Sequence, residues 1–329
     1  MLKFIIKRLL TYAVILVFVM LIIYAIMHSL PVSYVEKTAR ELASRPGSTK
    51  SAAEWIADMN VQYGMDKGIF EGFFTWVKSA VKGNFGDSWY WGISVTKEFN
   101  KVIWNSFYLG LAAFILEIVI AIPLGIAAAK KQYGVTDYTV TVVSLIGISM
   151  PTFFVATTLK LIFAVKLGWF ELSGMRGRNY LSLSDVGKFF DVAGHFILPL
   201  LTLTIISIGG LMRYTRTNML EVLNADYIRT ARAKGLPEKR VINYHAFRNT
   251  LIPIVTILGG SLPGLFSGAL ITETLFSIEG IGYASYHAMV AGDIPFTMFY
   301  LTFMSALTML GTLLSDILYA VVDPRVRVN

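Results

Sequence analysis

The 329-residue chain has no cysteine and little charge, with only 15% Asp, Glu, Lys and Arg. Without cysteine, disulfides, zinc thiolate sites and thiol chemistry are excluded. The charged share lies well below the ~25% of ordinary soluble domains, whereas 55% of the residues are hydrophobic. This composition predicts an all-α integral membrane protein with several spans.

Sequence motifs for catalysis are also missing. The four histidines, His28, His195, His245 and His287, are scattered without the spacing of metal ligands. No glycine-rich phosphate loop ending in Lys-Ser or Lys-Thr occurs, so the chain is not expected to bind ATP or any other cofactor. An intramembrane enzyme would need a nucleophile and a base at membrane depth, and Glu117 alone does not supply them. An ion-driven secondary carrier, which would need intramembrane carboxylates, stays open as an alternative.

Six apolar stretches are long enough to cross a bilayer, at about residues 9–27, 102–129, 137–165, 196–213, 248–276 and 296–322. Basic residues mark the ends that would share one side of the membrane: Lys3, Lys7 and Arg8, Lys130 and Lys131, residues 213–248, and Arg325 and Arg327. By the positive-inside rule, both termini are expected in the cytoplasm. A signal peptide begins like the first stretch, but its apolar region is shorter. Because the net charge of +8 lies at span ends, no nucleic acid partner is expected.

The polar block of the chain covers residues 31–101 and is expected to form an external insert after the first span. Two amphipathic helices are predicted in it, at residues 51–63 and 70–81. Apolar residues recur there at helical spacing: Ala52, Trp55, Ile56 and Met59, then Phe73, Phe74, Val77 and Val81. The insert could form a platform for an external binding protein or serve packing alone. Two further external loops are expected at residues 167–195 and 278–295.

Polar features also occur inside the predicted spans. Glu117 lies near the middle of the second span, where a charge facing lipid costs about 2.5–3.5 kcal/mol. It should therefore face protein or a wet pathway, and both a structural hydrogen bond and a pathway role stay open. Pro123 should loosen the same helix. Ser149, Met150 and Pro151 predict a kink in the third span that could line a path for a flexible substrate or serve helix packing.

The most densely charged stretch, residues 213–248, carries eight Lys and Arg residues against three Asp and Glu residues. A short helix is predicted in it, with Asn224 as a candidate N-cap. Gly235 should end this helix, because glycine readily adopts the left-handed conformation of a helix stop. A second helix is expected from Pro237, a favoured first-turn residue.

The small residues Ala231 and Ala233 should leave a low spot on this otherwise long-chained surface. Another protein could approach the chain there. The alternative is a basic amphipathic helix that lies on anionic lipid.

The phrase DYIRTARAKGLPEKRVINYHAFRNTLIPIVT, residues 226–256, resembles the cytoplasmic coupling loop of the permease subunits of ATP-binding-cassette importers, in their peptide-type branch. In that family a short helix of this loop docks in a groove of the ATPase subunit. Carried over by position, the resemblance implies these ATPase-coupling residues: Asp226, Tyr227, Arg229, Thr230, Ala231, Arg232, Ala233, Lys234, Gly235 and Leu236. The general permease pattern has Glu-Ala-Ala where this chain has Arg229-Thr230-Ala231.

The resemblance also implies a fold of six transmembrane helices, the type I importer permease fold, with an external helical insert after the first span. Residues 1–101 would hold the first span and the insert, residues 102–322 the permease core with coupling loop 219–249, and residues 323–329 a cytoplasmic tail.

The partners implied by the resemblance are a second homologous permease, two cytoplasmic ATPase subunits that bind ATP and Mg, and an external substrate-binding lipoprotein. The chain would lie in the cell membrane, plasma or inner, and form half of a translocation pathway for oligopeptides or dipeptides. Nickel, glutathione or another small solute remains an alternative substrate.

Overall fold

Helices dominate the computed structural model, which describes residues 2–29, 32–63 and 67–322. The predicted tail, residues 323–329, lies outside the described residues. Within the described residues, β pairing is limited to one isolated bridge between Asp87 and Ser94. The α-helices in chain order are α1 Leu2–His28, α2 Val32–Ala43, α3 Ala52–Tyr63, α4 Ile69–Ala80, α5 Val95–Lys130, α6 Val135–Ser149, α7 Thr152–Leu159, α8 Asp185–Leu223, α9 Asp226–Ala233, α10 Glu238–Arg240, α11 Phe247–Ser261, α12 Leu270–Phe276, α13 Ile281–Ala291 and α14 Ile294–Val322.

Four of these helices are long and apolar enough to cross a membrane: Ile5–His28 of α1, α5, α8 and Ile294–Leu318 of α14. Two more candidates are bent pairs of helices. Val135–Ser149 and Thr152–Lys166 meet at 102°, and Glu238–Leu251 and Pro253–Phe266 meet at 46°. The described residues therefore hold up to six spans when each bent pair is counted as one, which agrees with the predicted number.

The kink predicted at Pro151 is a complete break between α6 and α7. Met150 and Pro151 are extended, with ψ of 128° and 137°. Proline disfavours the helical conformation in the residue before it and lacks an N–H for the helical ladder. Pro123 behaves differently, because α5 continues through it without interruption.

Two predicted boundaries on the C-terminal side of this break need correction. α8 begins at Asp185, so the second half of the loop predicted at residues 167–195 is helical. The start of α8 is marked by a serine N-cap: the Ser184 hydroxyl accepts a hydrogen bond from the Gly187 N–H at 3.2 Å. The predicted fifth span, residues 248–276, is interrupted after α11 and resumes in α12.

The prediction of a loop at residues 278–295 is also wrong for most of its length, because α13 covers Ile281–Ala291. The residues that suggested a loop are helix ends. Gly280 directly precedes α13, and Asp293 precedes α14. The Asp293 carboxylate accepts a hydrogen bond from the Phe296 N–H at 3.1 Å, as an N-cap does.

The chain divides into two compact units, Met1–Trp104 with Ile281–Leu313 and Asn105–Gly280 with Leu314–Asn329. In the first unit, α2 packs on α3, and α4 packs on both α3 and α1. Its apolar core consists of Tyr24, Ala39, Leu42, Met59, Phe73, Trp76, Trp89, Ile294 and Met298. The insert after the first span thus shares one core with α1 and α14. α2 is a helix that no periodicity argument predicted.

The helices predicted in the insert are confirmed as α3 and α4, but only part of the predicted inward face of α4 is correct. Phe73 is buried and Val77 packs against the core, as predicted, whereas Phe74 and Val81 are 66% and 82% exposed. Trp76, which was not predicted to face inward, fills the core beside Phe73, at 3% exposure each. Trp76 follows Phe73 by three residues and therefore lies on the same helix face.

In the second unit, glycines bring helix backbones together. A Cβ at Gly125 of α5 would lie 2.7 Å from the Met212 carbonyl oxygen of α8. A Cβ at Gly209 of α8 would lie 2.6 Å from the Ser144 carbonyl oxygen of α6. Neither distance leaves room for a side chain, so α5 and α6 each contact α8 at backbone distance, as small residues permit in membrane bundles.

Candidate functional site

The stretch predicted as a coupling loop folds as the short helix α9 directly after α8. Only Asn224 and Ala225 separate the two helices. The N-cap of α9 is Ala225, so the prediction of Asn224 as its cap is wrong by one position. Asn224 instead ends α8, and its side-chain amide donates to the Leu220 carbonyl oxygen at 3.0 Å.

Gly235 ends α9, as predicted, with a positive φ of +74°. Its N–H donates to the Arg232 carbonyl oxygen at 2.9 Å, and the Leu236 N–H donates to the Ala231 carbonyl oxygen at 3.4 Å. This pair of bonds is the Schellman motif, which satisfies carbonyl groups left open at a helix end. Leu236 then packs, half-buried, against the apolar cluster under α9.

One face of α9 is anchored in the chain's own core. Ile228 is 0% exposed and Ala231 is 6% exposed, three residues apart and therefore on the same face. They belong to an anchor cluster made of Ala129, Met219, Ile228, Ala231, Val241, Ile242 and Ala246. Ala231 therefore does not contribute to an open low spot. Ala233 and Gly235 are exposed and remain as the small residues of the free surface.

The opposite face of α9 is exposed and basic. Tyr227 is 48% exposed, and Arg229, Thr230 and Lys234 are exposed as well. Partial burial and, to a smaller extent, the nearby Glu221 carboxylate raise the pKa of the Tyr227 phenol above its ordinary value. The phenol thus stays neutral near pH 7 and keeps its proton as a hydrogen-bond donor.

Two ion pairs lie on this helix and differ in geometry. Arg232 contacts Glu238 through two hydrogen bonds, of 2.8 and 3.2 Å, and so joins α9 to α10 across the Gly235 turn. Asp226 and Arg229 are 3.6 Å apart, with side chains 97% and 73% exposed. A pair so open to water contributes little to stability, so Arg229 keeps its charge available to a partner.

A second site is a cavity of about 330 Å³ among α5, α7, α8, α11 and α12. Glu117 lines it, together with Ser207 of α8 and Glu273 of α12. The Ser207 hydroxyl lines the same cavity as the Glu117 carboxylate and donates to the Thr204 carbonyl oxygen at 3.2 Å. The position of Glu117 on a cavity wall is compatible with a pathway role, and both alternatives weighed for Glu117 stay predictions.

The other residues predicted near a pathway lie elsewhere. Ser149, Met150 and Pro151 are exposed at the break between α6 and α7, and Pro123 is exposed on α5. None of these four lines the cavity that contains Glu117. Thr152, which opens α7 directly after the break, does line it.

The sequence analysis missed a buried ion pair between α6 and α8. Asp137 is 3% exposed, and its carboxylate accepts two hydrogen bonds from the Arg216 guanidinium, one of them 2.8 Å long. Arg216 was interpreted only as a topology signal. Its partner could not be identified from sequence, because the two residues are 79 positions apart.

Lys160, directly after α7, contacts the end of α12. Its ammonium donates to the Leu275 carbonyl oxygen at 2.5 Å. It also lies 5.3 Å from the centre of the Phe276 ring. The lysine thus caps the last turn of α12, where a cation is favourable.

Comparison with known proteins connects this architecture to a transport family. Residues 121–328 match the family described as "Binding-protein-dependent transport system inner membrane component". Residues 1–89 match the corresponding N-terminal family.

Three curated relatives are similar over most of their length. The oligopeptide transport system permease protein AppB of Bacillus subtilis is 37% identical over 267 residues, covering 81% of this chain and 83% of AppB. The dipeptide transport system permease protein DppB of Escherichia coli K12 is 34% identical and covers 99% of both chains. The di/tripeptide transport system permease protein DppB of Pseudomonas aeruginosa is 36% identical, covering 80% of this chain and 82% of DppB. The chain therefore belongs to the family of inner membrane components of binding-protein-dependent transport systems.

Proposed function

We propose that this chain is the permease subunit of an ATP-driven peptide importer and that α9 couples it to the ATPase. Relatives named as oligopeptide and dipeptide permeases support the peptide substrate. The observation that carries the coupling role is the two-sided construction of α9. One face is fixed by Ile228 and Ala231, and the other presents Tyr227, Arg229 and Ala233 to a partner.

The partners follow from what one such chain can supply. Six spans enclose only half of a path wide enough for a peptide, so a second homologous permease supplies the other half. Two cytoplasmic ATPase subunits bind ATP and Mg, since this sequence has no phosphate-binding loop. An external lipoprotein delivers the peptide. Both termini lie in the cytoplasm with α9, in accordance with the basic residues at these span ends.

The proposed mechanism uses the anchor cluster as a stiff connection. ATP binding closes the ATPase pair and displaces the groove that holds α9. Because Ile228 packs with Ala129 of α5 and Met219 of α8, the displacement reaches both helices. The spans then move between inward-open and outward-open arrangements as packed bodies.

The test is Ala233→Arg, which adds bulk and charge to the exposed face of α9 without entering the anchor cluster. The variant is assembled with the second permease, the ATPases and the binding protein in proteoliposomes. We expect peptide uptake to fall at least about tenfold, as for charge placed in a packed protein interface, while ATP hydrolysis no longer responds to the peptide-loaded binding protein.

The matched control is Ala53→Arg, which makes the same change at an exposed position of α3. It should keep uptake and coupled ATP hydrolysis. Normal uptake by Ala233→Arg in a correctly assembled transporter would remove the coupling role of α9. Normal uptake without any ATPase subunit would instead favour an ion-driven carrier.

A further inference from the structure

Two carboxylates, Glu273 and Glu117, line the cavity of the second unit and differ in their hydrogen bonding. Glu273 is 0% exposed. It accepts hydrogen bonds from the Ser106 hydroxyl at 2.7 Å and from the Ala269 N–H at 2.9 Å. A Cβ on Gly280 would lie 2.4 Å from the Glu273 carboxyl carbon, so the chain is shaped around this group. Glu273 is thus a structural acid that ties α12 to α5.

Glu117, on the same cavity wall, has fewer hydrogen-bond donors around its carboxylate than Glu273 has. Among the described residues that line the cavity, no Lys, Arg or His accompanies Glu117. The Ser207 hydroxyl, on the same cavity wall, donates its one proton to the Thr204 carbonyl oxygen at 3.2 Å. An ionised carboxylate offers about four acceptor positions. Most of the acceptor capacity of Glu117 therefore remains open to the cavity.

The surroundings restrict what could use that capacity. Most of the other lining residues are apolar or small, among them Leu109, Ala113, Phe114 and Leu203. An anion in such a setting is costly unless a cation accompanies it. No group of three His, Asp or Glu side chains suited to a metal ion occurs in the described part of the chain. One carboxylate beside hydroxyls and apolar walls instead fits a single ammonium group attached to an apolar body.

We propose that Glu117 is the residue with which this permease binds the amino-terminal ammonium group of the peptide during its passage. The inference rests on the proposed function, because a peptide brings a chain-end ammonium next to a side chain of variable size. A cavity of about 330 Å³ accommodates the leading residue and not a whole oligopeptide. The apolar wall of the cavity accepts the first side chain of the peptide.

The absence of native cysteine makes direct measurement possible. Ser261 lines the cavity and is exposed, so Ser261→Cys introduces the one thiol of this chain at the cavity wall. In the assembled transporter without its binding protein, the rate of maleimide labelling of this chain is measured against peptide concentration. The peptides are alanyl-phenylalanine and its N-acetyl form, which lacks the ammonium group.

We expect alanyl-phenylalanine to protect the thiol at a concentration about tenfold lower than the acetylated peptide, as a charge-assisted hydrogen bond provides. Glu117→Gln keeps the size and an acceptor oxygen but removes the charge, so it should abolish this difference. Glu117→Asp keeps the charge and should preserve the preference for the free amine. Asp185→Asn removes a fully exposed carboxylate of α8 and should leave the tenfold difference unchanged.

Three results would overturn the inference: equal protection by both peptides, protection by neither, or an unchanged difference in Glu117→Gln. These results are separable from failure of the proposed function, which is measured by peptide uptake through the complete transporter. Normal uptake together with equal protection by both peptides would leave the permease role standing and remove Glu117 as the ammonium site.

Discussion

Two adjacent glycines of α8 should respond in opposite directions to the same substitution. A Cβ on Gly209 would lie 2.6 Å from the Ser144 carbonyl oxygen and 3.0 Å from Cγ1 of Ile148, both in α6. A Cβ on Gly210 meets no heavy atom within 4 Å among the described residues. Gly209→Ala therefore tests the close approach of α6 and α8, and Gly210→Ala measures the change in helix propensity alone.

The magnitudes follow from two opposing effects. Alanine is favoured over glycine inside a helix by about 0.8–1 kcal/mol, so Gly210→Ala should stabilise the protein by up to that amount. At Gly209 the same gain is opposed by overpacking, which costs about 1–3 kcal/mol. The Ser144 oxygen belongs to the backbone and cannot rotate away, so the overpacking cost should lie in the upper part of this range, at about 2–3 kcal/mol. After the gain in helix propensity is subtracted, we expect a net loss of stability of about 1–2 kcal/mol.

The assay is reversible unfolding of the purified protein in mild detergent with increasing sodium dodecyl sulfate, followed by circular dichroism. The free energies of unfolding of the two variants should differ by about 2–3 kcal/mol. Gly194→Ala, also in α8 and also without a described heavy atom within 4 Å of the new Cβ, is the control and should behave like Gly210→Ala. Equal stability of Gly209→Ala and Gly210→Ala would refute the close contact of α6 and α8.

Three further predictions concern other contacts. Asp137→Asn should lower the free energy of unfolding in the same assay by about 2–3 kcal/mol, because it leaves the Arg216 guanidinium without its carboxylate; adding Arg216→Gln should recover part of this loss, and no recovery would contradict the pairing. Ile228→Ala should increase amide hydrogen exchange in α9 at least about tenfold, because truncating a buried isoleucine to alanine costs about 2–5 kcal/mol, while exchange in α14 should stay constant. Hydrogen bonds to the Glu54 carboxylate, chiefly from the Ser51 N–H and then from the Ser51 hydroxyl, lower the pKa of Glu54 from its ordinary value of 4.5. This carboxylate therefore stabilises the start of α3 above pH 4.5 and loses that effect as the pH falls through the lowered pKa. Amide exchange in α3, taken relative to the intrinsic rate, should therefore increase on acidification below pH 4.5, and Glu54→Gln should remove this pH dependence.

The sequence was most informative where one physical signal dominates. Long apolar runs predicted the spans, because no other environment stabilises so much apolar surface. Gly235 predicted the end of α9, since the positive φ required there favours glycine strongly. The spacing of Ala52, Trp55, Ile56 and Met59 predicted α3, and the structure adds a capping box that the sequence analysis did not use, with the Ser51 N–H donating to the Glu54 carboxylate at 2.7 Å.

The sequence misled where a residue type has two structural uses. Gly280 and Asp293 are as common in loops as at helix ends, and α13 lies between them. Ala231 is small, which suits an open surface as well as a tight core, and its burial depends on where residues 241–246 pack. The pair of Asp137 with Arg216 joins α6 to α8, and Glu117 shares a cavity wall with Ser207 of α8, so no local spacing could reveal either arrangement.

The proposed coupling role requires that a helix of only eight residues be held firmly, and the anchor cluster holds it. A helix as short as α9 is marginal on its own, and its exposed face is polar, so its stability depends on the core beneath Ile228. That core is built from several long elements. Met219 of α8 is 0% exposed and lies beside Thr250 of α11, whose hydroxyl is 3.3 Å from the Met219 sulfur. Ala129 adds the end of α5. Under the proposed coupling role, a force applied to the exposed face of α9 would therefore reach α5, α8 and α11 through a close-packed contact that resists compression. α5 and α8 are also the helices that place Glu117 and Ser207 on the same cavity wall.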